Sequence, residues 1–315
     1  MKFLEDKFAG KLNMDWCKWL NRSMNLFLWF CGLAALWIVI QVFFLASFYV
    51  PTDSMLPGLL PGDVILVNKL PYGARLFNVF AAVEGRQVDI LRLPGTEEVR
   101  RNDVVVFNYP CPRKWRKIEM DIMQYYVKRC VALPGDVFRI EDGRYKVSGH
   151  RGALGNVEAQ AHFVEMIERE QRADSAVGVR AYPGDKRLGW TVKKFGPFYI
   201  PKAGDTIPMN AQTAVLYKNV IEWEQNMGLE YMNGEVYLDN TKITGYRFRK
   251  SYYFVAGDKV ENSKDSRYWG LLPEEYIVGK AWAIGKSVDK TTNEIRWNRI
   301  CLLYTSPSPR DMRRS

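Results

Sequence analysis

The chain has few of the residues on which many enzymes depend. Only two of its 315 residues are histidines, His150 and His162, and both lie far from any recognisable motif. A Ser-His-Asp hydrolase needs a histidine beside its serine, so this class is disfavoured. The five cysteines include no Cys-x-x-Cys pair, which argues against zinc or thioredoxin-type chemistry. Cys111 and Cys130 are candidates for a disulfide in an oxidising compartment, and the sequence leaves their pairing open.

Nucleic-acid-binding motifs are also missing, although the net charge is +10. The sequence contains no zinc-finger spacing, no heptad basic region and no arginine-rich arm. We therefore expect no nucleic-acid partner. The basic charge is interpreted as a solvated face that lies against anionic lipid.

One hydrophobic run is long enough to cross a membrane, and a mean hydropathy of −0.25 argues against a polytopic membrane protein. No charged residue occurs from Ser23 to Thr52, whereas about 20 apolar residues suffice for a spanning helix. The run is too long for a cleaved signal peptide, and no small-x-small cleavage site precedes Pro51. We predict an uncleaved transmembrane anchor over residues 24–50, after an N-terminal segment over residues 1–23.

The charges beside the anchor predict its orientation. The N-terminal flank carries five basic residues against three acidic ones, whereas the other flank has no Lys or Arg before Lys69. Because positive flanks stay in the cytoplasm, we predict a single-pass protein with a cytoplasmic N-terminus. The rest of the chain is then extracytoplasmic.

Beyond the anchor, Pro-Gly turns precede β-branched runs, as at residues 60–63 and 133–136. In such turns proline sets the first dihedral and glycine supplies a positive φ. We predict a mainly β fold, an antiparallel catalytic domain over residues 51–141 and 250–300 with an inserted lobe over 142–249. The predicted strands lie near residues 64–67, 104–107, 125–131, 137–140, 252–255 and 277–284, with a hairpin at 236–244. Residues 157–172 are a candidate helix, and residues 211–224 are ambiguous.

A serine that attacks without a histidine needs another base. The stretch Pro51-Thr52-Asp53-Ser54-Met55-Leu56-Pro57 places Ser54 directly after the anchor. A lysine accepts a proton when apolar surroundings keep it neutral. Lys128 fits, because the run 125–133 around it is mostly apolar and aromatic, although a surface lysine on an edge strand has the same pattern. Residues 257–270 are dense in hydrogen-bonding side chains that would orient such a lysine, or they form an ordinary polar loop.

Three of these stretches together resemble the sequence boxes of type I signal peptidases. Residues 51–57 are similar to the family's serine box, residues 126–136 to its lysine box and residues 262–270 to its last box. They follow an anchor in the family's order, and the likeness spans most of residues 48–287. The stretch 195–201 is more weakly similar to members from Bacteroidetes-like bacteria. The resemblance implies a membrane-bound serine endopeptidase that removes N-terminal signal peptides from exported proteins.

The resemblance also implies roles for individual residues. Ser54 is the nucleophile and Lys128 the neutral general base, while the Ser54 N–H and the Thr52 hydroxyl form the oxyanion hole. Met55 packs near the catalytic pair. The expected supporting residues are a serine that hydrogen-bonds the lysine and an ion pair that shapes the site, namely Ser263, Asp265 and Arg267. Neither a metal nor an organic cofactor is implied.

Three positions depart from the family pattern. Asp53 stands where many members have a small residue, and we expect its carboxylate to point away from Lys128, whose charged form it would favour. Lys259-Val260-Glu261 replaces the commoner Asn-Arg-Asp after Gly-Asp. Asn102 stands where glycine is usual. These departures leave the details of the last loop open.

The implied partners are the signal peptides of secreted pre-proteins, the lipid bilayer and a nearby secretion translocase. The implied location is the bacterial inner (plasma) membrane, with the catalytic domain periplasmic or otherwise extracytoplasmic. One alternative is a specialised peptidase that processes pilins or conjugation factors. Another is a catalytically inactive, membrane-tethered peptide-binding protein, against which the presence of Ser54 and Lys128 argues.

The last stretch, residues 301–315, fits none of these patterns. It resembles the translation of an adapter used in sequencing libraries, and we interpret it as a non-native tail. The alternative is a native disordered Ser-Pro tail.

Overall fold

The computed structural model describes residues 2–84, 86, 88–114, 117–172 and 181–303. The helices in this part of the chain are α1 (Lys2–Phe43), α2 (Val79–Val83), α3 (Val157–Arg172), α4 (Ala211–Gln225) and α5 (Ser266–Trp269). The strands are β1 (Leu45–Tyr49), β2 (Asp63–Asn68), β3 (Arg75–Leu76), β4 (Leu91–Arg92), β5 (Val104–Asn108), β6 (Tyr125–Ala132), β7 (Val137–Glu141), β8 (Arg144–Val147), β9 (Phe195–Tyr199), β10 (Thr206–Pro208), β11 (Leu229–Met232), β12 (Glu235–Leu238), β13 (Thr241–Ile243), β14 (Gly245–Arg247), β15 (Tyr252–Ala256), β16 (Leu272–Pro273) and β17 (Ile277–Ser287).

The first helix contains most of the predicted anchor, residues 24–50, but ends at Phe43. Its apolar part, Trp19–Phe43, has a mean hydropathy of 2.3 and is not buried against the rest of the described chain. The helix stops at Phe43 because β1 joins the sheet, where Leu45 to Tyr49 pair antiparallel with β2. The helical part of the anchor therefore ends at residue 43 rather than at residue 50.

Seven strands form the main sheet in the order β1-β2-β17-β5-β6-β15-β16. All of its strand pairs are antiparallel, which confirms the predicted fold class. The predicted strands β2, β5, β6, β15 and β17 all lie in this sheet. Lys128 on β6 pairs with Val105 on one side, and Cys130 pairs with Val255 on the other. The edge-strand interpretation of Lys128 is therefore wrong, because β6 has neighbours on both sides.

The residues between β6 and β15 form three smaller sheets, β8-β7-β9, β10-β14 and β11-β12-β13. The candidate helix at 157–172 is confirmed as α3, and the ambiguous segment forms α4, whose first turn is capped by the Asn210 side chain. The sheet of this lobe begins with β7, before residue 142, the predicted boundary. Phe138 of β7 stacks on Phe254 of the main sheet at a centroid distance of 4.3 Å, so one core joins the two parts.

Two of the predicted turns have the expected backbone, with φ of +97° at Gly62 and +92° at Gly135. Asn102, which departs from the family's usual glycine, has φ +70°. Asparagine tolerates this left-handed conformation better than most residues do. Its side chain also donates to the Ala153 carbonyl (2.8 Å) and accepts from the Gly155 N–H (2.9 Å). The asparagine thus keeps the turn and adds two contacts.

The two candidate disulfide cysteines are not joined to each other. Cys111 and Cys130 both lie in the larger hydrophobic cluster, and Cys130 is fully buried. Burial raises the pKa of the Cys130 thiol well above its usual range. Cys130 therefore acts as an apolar core residue.

The chain beyond β17 stays in contact with the main sheet as far as it is described. The Leu303 N–H donates to the Trp282 carbonyl, and the Ile284 N–H donates to the Cys301 carbonyl, both at 2.9 Å. Arg299 binds the buried Asp63 carboxylate at 2.8 Å. Residues 304–315 of the predicted non-native tail lie outside the described residues.

Candidate active site

Ser54 lies in a tight turn between β1 and β2. The Leu56 N–H donates to the Asp53 carbonyl (3.0 Å), and the Leu59 N–H donates to the Met55 carbonyl (2.9 Å). Met55 is buried in the smaller hydrophobic cluster, with β2, β5 and β17. The apolar residue after the serine thus anchors the turn, and Ser54 itself is 8% exposed.

Lys128 reaches this serine from the middle of β6. Its Nζ lies 2.5 Å from the Ser54 Oγ, and the residue is only 4% exposed. Burial lowers the pKa of Lys128 to about 8; Asp265 acts in the opposite direction, and Arg267 adds to the lowering. About a tenth of the amine is therefore neutral at pH 7, far more than in an ordinary lysine, and a base for a serine hydroxyl must be neutral.

Thr52 supplies a hydroxyl on the open side of the turn. Its Oγ1 lies 3.4 Å from the Ser54 Oγ, and the residue is exposed. A hydroxyl at this distance from the nucleophile is close to the space that a reacting carbonyl would occupy. It can donate a hydrogen bond there without leaving the turn.

A fully buried ion pair lies behind the lysine. Both nitrogens of the Arg267 fork, Nε and one Nη, donate to Asp265 at 2.8 Å, and neither side chain is exposed. Burial alone would raise the pKa of Asp265, but the Arg267 charge and the Gly257 N–H hold that pKa below its usual value. The second fork nitrogen also donates to the Val260 carbonyl at 2.9 Å. The pair therefore fixes the loop that follows β15.

Gly257 and Ser263 show how tightly this loop meets the serine turn. A Cβ added at Gly257 would lie 2.1 Å from the Ser263 Oγ and 2.6 Å from the Ser54 carbonyl oxygen. The position therefore requires glycine, since real Cβ atoms do not approach so closely. Ser263 is buried at this contact, but no hydrogen bond joins it to Lys128, and its supporting role stays a prediction.

Sequence reasoning missed a second ion pair beside the dyad. Arg129, the residue after the general base candidate, donates two hydrogen bonds to Asp258, at 2.7 and 2.5 Å. Asp258 is almost fully buried. The sequence contained a signal for this pair, because Arg129 directly follows Lys128 and Asp258 directly follows Gly257.

The two departures next to the catalytic motifs contact each other. The Asp53 carboxylate forms an ion pair with Lys259 and accepts a hydrogen bond from Asn262 at 3.0 Å. The carboxylate is thus directed toward this loop and makes no hydrogen bond with Lys128. Asp53 and Lys259, which both depart from the family pattern, thus form a single ion pair.

The site brings together a serine hydroxyl, a buried lysine amine and a threonine hydroxyl, all on side chains. In the described part of the chain, no group of three or more His, Cys, Asp or Glu residues could hold a metal ion. A serine hydroxyl against a buried lysine amine is the arrangement of a Ser–Lys hydrolase. Residues 22–285 match the family model described as signal peptidase, peptidase S26, and the chain belongs to this family.

Two sequences of signal peptidase I are similar to this chain over most of its length. The chain is 29% identical over 283 residues to signal peptidase I of Buchnera aphidicola subsp. Schizaphis graminum, covering 84% of this chain and 77% of the relative. It is 29% identical over 280 residues to signal peptidase I of Pseudomonas aeruginosa, covering 85% and 74%. A crystal structure of a signal peptidase I from Enterococcus faecalis V583 matches with a TM-score of 0.27 and 17% identity, covering 58% of this chain and 97% of that one.

Proposed function

We propose that this membrane-bound serine endopeptidase removes N-terminal signal peptides with Ser54 as nucleophile and Lys128 as general base. The observation that carries the proposal is the 2.5 Å separation between Nζ and Oγ, inside the protein. Membership of the signal peptidase family supports the substrate class. A catalytically inactive peptide-binding protein is not favoured, because both dyad residues are present and in contact.

In the first half of the reaction, the Ser54 Oγ attacks the carbonyl carbon of the scissile peptide bond. The neutral Lys128 amine takes the hydroxyl proton as the new C–O bond forms. The negative charge on the carbonyl oxygen is stabilised by the Ser54 N–H and the Thr52 hydroxyl. Lys128 then gives the proton to the leaving amine, the C–N bond breaks, and the mature protein departs.

In the second half, a water molecule attacks the ester that joins the signal peptide to Ser54. Lys128, neutral again, takes a proton from this water and returns it to the Ser54 oxygen as the ester breaks. Met55, Asp265 and Arg267 support both halves by holding the turn and the lysine in place. Ser263, packed against Gly257, belongs to the same supporting group.

The anchor determines where this chemistry takes place. It holds the catalytic domain at the bilayer, where a signal peptide in the same membrane meets it at high effective concentration. An extended substrate would pair with a strand edge, and shallow pockets would accept small side chains at the first and third positions before the cut. We place the enzyme near the secretion translocase, since its substrates emerge there.

The detergent-solubilised protein is expected to cleave a pre-protein with an Ala-x-Ala site, faster at higher pH. The pKa of Lys128 is about 8, so the neutral amine becomes commoner as pH rises to that value. We expect kcat/KM to rise about tenfold per pH unit below pH 8 and to level off above it. The measurement is initial cleavage rate between about pH 6 and 10.

A pre-protein with a bulky residue just before the cut serves as the matched control and should not be cleaved. A rate that falls steadily across the same pH range would contradict the role of a neutral lysine. Equal cleavage of both pre-proteins would contradict the substrate class but not the dyad.

We also propose that the N-terminus is cytoplasmic and the catalytic domain extracytoplasmic, from the basic residues in the first part of α1. In spheroplasts of cells that express the protein, added protease should degrade the catalytic domain. An epitope tag before residue 2 should survive on a small membrane-protected fragment. A protected catalytic domain and a degraded tag, in spheroplasts whose cytoplasmic proteins stay intact, would reverse the orientation.

A further inference from the structure

The loop after β15 holds the serine turn at two points. The Lys259 backbone N–H donates to the carbonyl of Ser54 itself, at 3.1 Å. The Lys259 side chain forms an ion pair with Asp53, the residue before the nucleophile. Asn262, from the same loop, donates to both Asp53 carboxylate oxygens, at 3.0 and 3.3 Å. The Asp53 carboxylate is thereby held on the side of the turn that faces this loop.

Three carboxylates around the dyad act on Lys128, and each has its own cation. Asp265 is paired with Arg267, Asp258 with Arg129 and Asp53 with Lys259. The Arg267 charge lies close enough to act on Lys128 directly, and the Tyr126 ring lies 5.7 Å from the amine. An unpaired carboxylate at any of the three positions would favour the protonated, inactive form of the lysine.

The Asp53 pair differs from the other two in its exposure. About a third of each side chain is accessible, with values of 33% for Asp53 and 27% for Lys259. Both groups are nevertheless ionised near neutral pH, because the contact with Lys259 lowers the pKa of Asp53 and the same contact raises the pKa of Lys259. The turn thus carries a permanent negative charge directly before the nucleophile.

We propose that Lys259 is a positioning residue whose ion pair offsets the negative charge of Asp53 and so raises the unprotonated fraction of the general base. The inference rests on the proposed Ser54–Lys128 dyad. The ion pair places a cation beside the carboxylate of the serine box. Lys259 acts through Asp53 and does not touch the substrate.

Two single variants break the same ion pair but leave opposite charges behind. Lys259→Gln leaves the Asp53 carboxylate without its cation, and Asp53→Asn leaves the Lys259 ammonium without its anion. We expect Lys259→Gln to move the acidic limb of the kcat/KM profile up by about 0.5–1 pH unit. Its rate at pH 7 then falls about 3- to 10-fold and recovers at high pH. Asp53→Asn should move the limb to lower pH.

The opposite directions separate an electrostatic role from a merely structural one. If the pair only held the loop in place, both variants would lose activity equally at every pH and neither limb would move; that result would overturn the proposal. Unchanged profiles in both variants would overturn it as well. Lys259→Arg should keep the wild-type profile, because it preserves the charge and the contact.

Lys242→Gln is the matched control, since it removes the lysine of an exposed ion pair with Glu235 in the β12–β13 hairpin. Its pH profile should be that of the wild type. Thermal unfolding of each variant excludes loss of fold as the cause of a rate change. If Lys128→Met stayed active, the dyad itself would be wrong, which is distinguishable from a failure of the Lys259 proposal alone.

Discussion

Replacing Lys128 by methionine should lower the rate of pre-protein cleavage at least roughly 10⁴-fold. The methionine side chain fills a similar volume, but it cannot take the proton from Ser54. Among the described residues, no histidine lies in the site and no other lysine contacts the Ser54 hydroxyl. Ser54→Ala should cause a similar loss, and the double variant should be no worse than either single one, because the two groups act as a unit.

The loss in Lys128→Met should not come from unfolding. Burial lowers the pKa of Lys128 from an ordinary 10.5 to about 8, so the folded protein binds fewer protons than the unfolded chain between these values. The wild type therefore gains stability as pH rises from 8 to 10.5. At pH 7 the variant should be the more stable by up to about 3 kcal/mol, a difference that shrinks at high pH.

Urea unfolding of the two proteins at pH 7 and at pH 10 measures this difference. A variant that keeps full activity would show that Lys128 is not the base. A variant that is inactive and also much less stable than the wild type would show that the lysine has a structural role instead.

The second large effect concerns the buried pair of Asp265 and Arg267. Asp265→Asn leaves the guanidinium charge in a site from which water is excluded. Removing one partner of such a pair costs about 3–5 kcal/mol, because the remaining charge has lost both hydration and counter-charge. We expect the free energy of unfolding to fall by this amount, together with most of the activity, since the loop behind Lys128 loses its support.

The double variant Asp265→Leu, Arg267→Met tests whether the loss comes from an unpaired charge. It should be destabilised by much less than the sum of the two single losses. Glu235→Gln, which removes the acid of an exposed pair, is the matched control and should unfold like the wild type. Equal effects of Asp265→Asn and Glu235→Gln would contradict the argument.

The pH dependence of this contribution has a definite sign. The pKa of Asp265 in the folded protein lies below its ordinary 3.8. The pair therefore stabilises the fold fully above that pH, and the contribution is lost as pH falls through the lowered value. Acid unfolding of the wild type should begin at lower pH than that of a variant already lacking the pair.

Local patterns predicted much of the fold. The strands β2, β5, β6, β15 and β17 were visible as short β-branched or aromatic runs after turn residues, since strand formation depends on such local chemistry. The end of the anchor was not visible, because Leu45–Tyr49 continues the uncharged run of the helix before it. Its pairing with β2 decides its conformation, and that pairing is a contact between separate parts of the chain.

The boundary of the inserted lobe stays a prediction, because it depends on the same kind of contact between separate parts of the chain. The run at residues 137–140 looked like any strand of the main sheet, and its pattern contains nothing about its partners. In the structure it pairs with β8 and β9, while Phe138 packs against Phe254. The alternating burial of β7 resembles that of β2 in the main sheet, so the choice of partner strand comes from the assembled core.

In the candidate site too, some features follow from local sequence and others from contacts between distant parts of the chain. The sequence by itself determined the membrane helix, the strand propensities and which serine and lysine to consider, because these depend on residue type and spacing. The tertiary structure alone decided that Lys128 is buried and in contact with Ser54. It also decided that Asp258 is paired with Arg129 and Asp53 with Lys259. A proton affinity depends on the charges and solvent within a few ångströms, and those neighbours come from parts of the chain that folding alone brings together.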